Sequence, residues 1–369
     1  MTLPLNSDFT KYNDLNHLRR LDRIHPYPAK FPIDLALEFI SKYTHDNDIV
    51  LDPFCGSGTT LLAAKYLNKN AFGFDVNYVA FLITQAKLLH LTKDDFLRLE
   101  QFRVQESDFL QYYENINHWF RSDCIQALSN IKTSINHLGR NKQSYKIFLN
   151  LIFSSIINLV SNQESDTRYA SIDKKYLSEN YVYEKFFEKL YGAIEIFTNV
   201  NIESSYTKQE VFLYNSKNLS HKTQKDSISL ILTSPPYPNT YDYYLYHKHR
   251  MLWLDFNVKF SMQNEIGSRR EYSSLKLPKE KFNSDLLEIF KECQIVLKDK
   301  GYIVLVMGDG KLQGEIYNAK EEILKLANTL CWTLIDYSYS ELDKTSRSFM
   351  QSYRTKNKKE HILVFQKSC

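Results

Sequence analysis

The segment "DIVLDPFCGSGTTLLAAKYLN" (Asp48 to Asn68) constrains this chain most. A short apolar, β-rich run ends at Phe54 in two closely spaced glycines, and Leu61, Leu62, Ala64 and Leu67 then fall at helical spacing. "NAFGFDVN" (Asn70 to Asn77) reads as a second strand ending in an acid, followed by the apolar helix "YVAFLITQAKLLH". This strand–helix–strand–helix beginning predicts an α/β fold built on a parallel sheet. Strand patterns return at "EVFLYNS" (Glu210 to Ser216), "SISLILT" (Ser227 to Thr233), "GYIVLVMGDG" (Gly301 to Gly310), "WTLIDYSYS" (Trp332 to Ser340) and "HILVFQK" (His361 to Lys367). No helical pattern separates the last two. A seven-stranded, mostly parallel sheet with an antiparallel last strand is therefore predicted.

Between about Leu91 and Gln209 the pattern changes to long amphipathic stretches with few glycines, typified by "DDFLRLEQFRVQESDFLQYYENINHWF". A mostly helical insertion is predicted, dividing the chain into residues 1–90, 91–209 and 210–369. With 43% hydrophobic and 24% charged residues the composition is that of a globular protein with a real core. The formal charge of +4 is too small to identify a polyanionic partner, so local clustering of basic residues carries more information. Five cysteines without metal-ligand spacing argue against a disulfide framework and against a zinc site. The run Ile147 to Val160 is too short and too polar to cross a bilayer, and the N-terminus lacks an apolar signal region. A buried helix and a cytoplasmic protein are expected, with neither membrane nor metal as a partner.

The "DPFCGSGTT" turn sits where a strand hands over to a helix, so its glycines bring backbone N–H groups close to any ligand. Asp75, ending the next strand, stands where an acid accepts ribose hydroxyls. A dinucleotide site prefers a third glycine, which Leu61 replaces, and a P-loop needs a lysine that is absent. S-adenosylmethionine has no pyrophosphate and tolerates the shorter turn, its sulfonium favouring neighbours such as Phe54 and Asp52. The turn alone is equally compatible with a strand-to-helix connection that binds nothing.

"TSPPY" (Thr233 to Tyr237) ends a strand of its own. Two prolines fix two φ angles, remove two donors and aim carbonyls outward. Such a corner suits an exocyclic base amine: Ser234 Oγ and the Pro235 carbonyl would each accept one amino hydrogen, Pro236 would stiffen the loop, and Tyr237 would stack on a flipped base. Without a ligand, the same residues would be a strand terminator followed by aromatic packing.

Together these motifs resemble the amino-methylating DNA methyltransferases, which transfer a methyl group from S-adenosylmethionine to cytosine N4 or adenine N6. "HPYPAKFP" (His25 to Pro32) resembles the N-terminal cofactor motif of that family. The resemblance spans roughly Arg23 to His90 and Glu210 to Lys367 and leaves the insertion uncovered. It implies a Rossmann-like sheet, S-adenosylmethionine as cofactor, and duplex DNA as partner, with a restriction endonuclease as a companion. Asp52, Phe54, Gly56 and Gly58 are implied to surround the methionine part, along with Pro53, Ser57, Thr59 and Thr60 of the same turn. Asp75 is implied to hold the ribose, beside Val76 and Asn77. Tyr27, Pro28, Ala29, Lys30 and Phe31 would close over the cofactor, with His25 heading that segment. Asn215 in "LYNSKNL" stands where an acid commonly contacts the adenine ring. Ser234, Pro235, Pro236 and Tyr237 are the implied catalytic residues. Serine at the head of that motif is more typical of cytosine-N4 members, whereas the motif order departs from their commonest arrangement. An adenine-N6 enzyme, an RNA methyltransferase and a catalytically silent DNA-recognition module are the alternatives.

Basic residues cluster in "GSRREYSSLKLPKEK" (Gly267 to Lys281) and "KTSRSFMQSYRTKNKK" (Lys344 to Lys359). Arg269, Arg270, Arg347 and Arg354 are the candidate phosphate contacts, set against ordinary solvated loops. Arg168 and Tyr169 in the insertion are candidates for base contact or for helix packing. Cys55 lies in the glycine turn, away from any target base, and is expected to pack there.

Overall fold

The computed structural model describes residues 15–200, 202, 207–341 and 359–368. Its centre is a seven-stranded sheet of β1 (Ile49–Asp52), β2 (Asn70–Asp75), β3 (Gln209–Leu213), β4 (Ile228–Thr233), β5 (Leu297–Gly308), β6 (Trp332–Glu341) and β7 (Lys359–Lys367). The spatial order is β6-β7-β5-β4-β1-β2-β3. β3, β2, β1, β4 and β5 are mutually parallel, and β7 runs antiparallel to both β5 and β6. The apolar run of β4 is buried at every residue, as a central strand covered on both faces requires.

Helices cover the two faces. Alternate side chains such as Leu230, Leu232, Val304 and Val306 pack under α1 (Leu15–Asp22), α2 (Ile33–Tyr43) and α3 (Thr59–Tyr66). Ile231, Ile303, Leu305 and Met307 point the other way, against α11 (Lys279–Val296) and α12 (Ala319–Thr329). Because the chain moves outward from β1 to β2 and β3 and returns as β4 on the opposite side, β1 and β4 are neighbours at a topological switch point. An open sheet has its crevice there, beyond the strands' carboxyl ends.

Residues 91–208 supply α5 (Lys93–Glu100), α6 (Ser122–Gly139), α7 (Gln143–Ile157), α8 (Glu179–Asn199) and a small hairpin, Gln163–Ser165 with Arg168–Ser171. The apolar Ile147–Val160 run lies in and just beyond α7, and Phe148, Leu151, Ile152, Phe153 and Ile156 are buried against α6, α8 and α4 (Tyr78–Lys87). This cluster also takes in Met251 and Trp253 of α9 (Lys248–Trp253), so the insertion shares a core with the elements carrying the candidate motifs. Two features differ from the sequence expectation. The long amphipathic stretch is interrupted after Glu100 and returns to helix only at Ile116–Trp119: the N–H groups of Gln105, Ser107 and Gln111 donate instead to Ser134 Oγ, Asn130 Oδ1 and Ser129 Oγ of α6, at 2.9, 3.0 and 3.0 Å. The hairpin is the second. It is anchored by Asp166 on the fully buried Arg250 of α9. Among the described residues, no helix is long and apolar enough to cross a membrane.

Candidate active site

At the carboxyl edge, a cavity of about 710 Å³ including its open mouth is lined by residues from both motifs. Pro53, Phe54 and Gly56 of the glycine turn face it, as do Ser234 and Pro236 of the proline corner.

The glycine turn has this shape because its backbone is left-handed at two points. Gly56 has φ +50° and Gly58 φ +79°. A Cβ at Gly58 would stand 2.6 Å from Thr84 Oγ1, so glycine is required for the close approach of α3 to α4 as well as for the backbone angle. Asp75 braces the turn: its Oδ2 accepts from Gly56 N–H at 2.9 Å and its Oδ1 from Asn77 N–H at 2.8 Å. Burial pushes this carboxyl up to about 6, against those backbone hydrogen bonds. Asn77 caps α4 through Oδ1, while its buried Nδ2 has no hydrogen-bond partner among the described residues. Asn77 lines the cavity, so a ligand acceptor would satisfy that donor.

Other implied residues lie behind the lining. Asp52 is buried and joins β1 to β4: Oδ1 accepts from Thr233 Oγ1 at 2.6 Å and Phe54 N–H at 3.1 Å, Oδ2 from Thr60 Oγ1 at 2.6 Å. Burial raises its carboxyl to about 6, opposed by the two threonine hydroxyls. Thr59 Oγ1 donates to Asp22 at 2.9 Å, and Lys87 Nζ donates to Asp22 Oδ1 at 2.9 Å and to the Ser57 carbonyl at 2.7 Å. Burial would raise Asp22, but the ammonium groups of Lys87 and Lys30 outweigh it and hold the carboxyl at about 2.

The N-terminal motif divides similarly. Tyr27 and Ala29 line the cavity, the Tyr27 ring stacking with Tyr243 at 5.7 Å and with His247 at 5.2 Å between centroids. Lys30 and Phe31 face a separate surface hollow, and Lys30 is paired with Asp22 at 2.7 Å. His25 is buried beside Ser154, 3.0 Å from its Oγ, and Pro28 lies outside the lining. Val76 and Asn215 do line the cavity, and Asn215 Nδ2 donates to Asn264 Oδ1 at 2.7 Å.

In the proline corner, Ser234 and Pro236 reach the cavity, whereas Pro235 and Tyr237 are buried just outside it. The Tyr237 hydroxyl donates to Glu360 Oε1 at 2.7 Å and its ring edge is seated on Gly308, so the ring's orientation is set by β5 and β7. Arg270 N–H donates to Asp242 Oδ1 at 2.9 Å, which puts the Arg269–Arg270 pair beside the loop following this corner. Arg347 and Arg354 lie outside the described residues. Arg168 pairs with Glu164 at 2.7 Å, and Tyr169 stacks on His249 with ring centroids 5.4 Å apart. Cys55 is buried, with its thiol pushed well up by burial.

Sequence reasoning missed Ser216, Tyr243, Ser261, Asn264, Glu265, Ile266 and Ile289 as lining residues. The tyrosine run after the corner was a signal for Tyr243. Glu265 offered none, because its partners are backbone groups: Oε1 accepts from Tyr243 N–H at 2.7 Å and Oε2 from Tyr244 N–H at 3.0 Å.

A family model described as DNA methylase matches residues 6–86 and 228–369. Over 282 residues the chain is 23% identical to the type II methyltransferase M.MvaI of Kocuria varians, covering 69% of this chain and 62% of that protein. It is 24% identical over 251 residues to the type II methyltransferase M.BsoBI of Geobacillus stearothermophilus, covering 59% and 49% respectively. The chain thus spans between about half and three-fifths of these curated relatives. Among solved structures it is similar to a SAM-dependent methyltransferase of Methanosarcina mazei, with TM-score 0.38, 12% identity and coverage of 89% and 97%.

Proposed function

The chain belongs to the DNA methylase family, and on that premise we propose that it methylates the exocyclic amine of a base flipped out of duplex DNA, with cytosine N4 as the target atom. One observation carries the reading: the glycine turn and the proline corner line the same cavity, so a donor held by the first faces an acceptor held by the second. The lining fits S-adenosylmethionine in its acid at the end of β2 and in the unpartnered Asn77 donor. When bound, that cofactor supplies an electrophilic methyl group on a sulfonium.

The chain's own residues do the rest. Asp75 takes the ribose hydroxyls, Phe54 and Tyr27 exclude water, and Asn215 meets the adenine ring. Ser234 Oγ and the Pro235 carbonyl each accept one amino hydrogen of the target base, which turns the nitrogen lone pair out of conjugation and towards the incoming methyl. The nitrogen sheds one proton to solvent after the new bond forms. Tyr237, fixed by Glu360 and Gly308, presents a ring of set orientation to the flipped base. Arg269 and Arg270 contact phosphate beside the corner; Arg347 and Arg354, outside the described residues, are further candidate phosphate contacts. The insertion, 91–209, is the target-recognition region between the two parts of the catalytic domain, and a restriction endonuclease reading the same site is the companion activity.

Duplex DNA incubated with a CD₃-labelled cofactor and digested to nucleosides is expected to show the label on N4-methylcytosine by mass spectrometry. Label on N6-methyladenine would overturn the choice of base, and label on neither amine would overturn the function.

A further inference from the structure

Glu265 follows α10 (Val258–Asn264) and reaches the start of the short helix Tyr243–Tyr246, where each carboxyl oxygen accepts one backbone N–H. Both oxygens keep a free lone pair. The same carboxyl lines the cavity with Asp75, and among the described residues the lining contains no lysine, arginine or histidine. Among the described residues Glu265 makes no ion pair. The charged and titratable groups around it are Asp75 at the end of β2, Asp242 before the short helix, and the hydroxyls of Tyr27, Tyr243 and Tyr244. Arg269 and Arg270 act on Asp242. Two carboxyls walling a cavity without a counter-cation suit an occupant that brings positive charge.

We infer that Glu265 is a specificity residue of this cavity, distinguishing the cationic sulfonium nucleoside from the neutral thioether that remains after methyl transfer. The inference rests on the proposed methyltransferase reading and deepens it: the residue would favour substrate cofactor over product. Burial pushes the Glu265 carboxyl up to about 8, with Asp242 and Asp75 adding to the rise against the Tyr244 and Tyr243 N–H groups. Near pH 7 the empty cavity therefore holds a protonated Glu265, and a sulfonium must displace that proton. Affinity for the cation rises with pH through about 8 and then levels, while affinity for a neutral thioether does not follow. Asp75, at about 6, is already ionised over this window.

Calorimetric titration of wild type and Glu265→Gln with S-adenosylmethionine and S-adenosylhomocysteine tests this. The wild-type ratio of the two affinities is expected to rise about tenfold between pH 7 and pH 9, and the Glu265→Gln ratio to stay flat. The ligands' own amines titrate alike in both proteins. A second probe pair, 5′-methylthioadenosine and its S-methyl sulfonium, has no aliphatic amine and reads the wild type alone should the variant fail to fold. A flat wild-type profile with that pair, or an unchanged ratio in Glu265→Gln, would overturn the role of Glu265. Failure of every nucleoside to bind wild type would instead overturn the methyltransferase reading.

Discussion

Ser234→Ala is expected to lower kcat roughly 10²–10³-fold, the magnitude of losing one preorganised polar contact at a reacting centre, while S-adenosylmethionine still binds. An exocyclic amine is a poor nucleophile because its lone pair is delocalised into the ring. Rate therefore depends on acceptors that hold both amino hydrogens, and in the proposed mechanism Ser234 is one of the two. Most of what orders its neighbours lies elsewhere: Thr233 Oγ1 is tied to Asp52 at 2.6 Å, Pro235 and Pro236 fix their own backbone, and the Tyr237 hydroxyl, which the Ser234 side chain also meets, is held by Glu360. Alanine consequently removes an acceptor without releasing the loop. Single-turnover methyl transfer measured beside cofactor binding separates the two effects. Wild-type turnover in Ser234→Ala would remove the hydroxyl from the mechanism.

Asp22→Ala should cost about 3–5 kcal/mol, the usual effect of stranding one member of a buried ion pair and a large part of the ~5–15 kcal/mol that holds a typical domain folded. The Lys87 ammonium is 1% exposed and would lose its only carboxylate partner among the described residues. Lys30 and Thr59 would lose contacts to the same carboxyl, releasing the glycine turn from α1. The pH dependence has a definite sign. With a folded value of about 2 against 3.8 ordinarily, Asp22 contributes its full stabilisation above about pH 4 and loses it as pH falls towards 2. Asp52 and Asp75, both raised to about 6, act oppositely, their burial costing stability as pH rises through that value. The difference in urea-derived stability between wild type and Asp22→Ala isolates the first effect, and it should shrink by about 2–3 kcal/mol between pH 5 and pH 2. A constant difference over that range would show that the charge on Asp22 contributes nothing.

The strands were legible because a parallel sheet writes them as short apolar runs, and the missing helix before β7 marked it as antiparallel. The glycine turn and the proline corner were legible for a different reason: each is a backbone shape that few residues permit, so it survives as a local string. What escaped notice depends on partners distant in the chain. Asp22 is an ordinary helical acid until Lys87 reaches it from α4. Ser129, Asn130 and Ser134 look like polar interruptions of α6, yet they accept the N–H groups that let residues after Glu100 run without helix. The hairpin at Gln163–Ser171 was hidden among amphipathic patterns because its strands are short and its anchor, Arg250, lies in another region. Within the turn motif, proximity in sequence did not distinguish Phe54 and Gly56, which face the cavity, from Asp52, Thr59 and Thr60, which hold the scaffold behind it.

A ternary structure with a non-transferable cofactor analogue and a duplex carrying a target cytosine is the most direct measurement. The account predicts the analogue across Phe54, Gly56 and Asp75, with its reactive end about 3–3.5 Å from an exocyclic nitrogen that donates to Ser234 Oγ and the Pro235 carbonyl. An analogue lodged with that end turned away from Ser234, or a flipped base seated elsewhere on the protein, would contradict it.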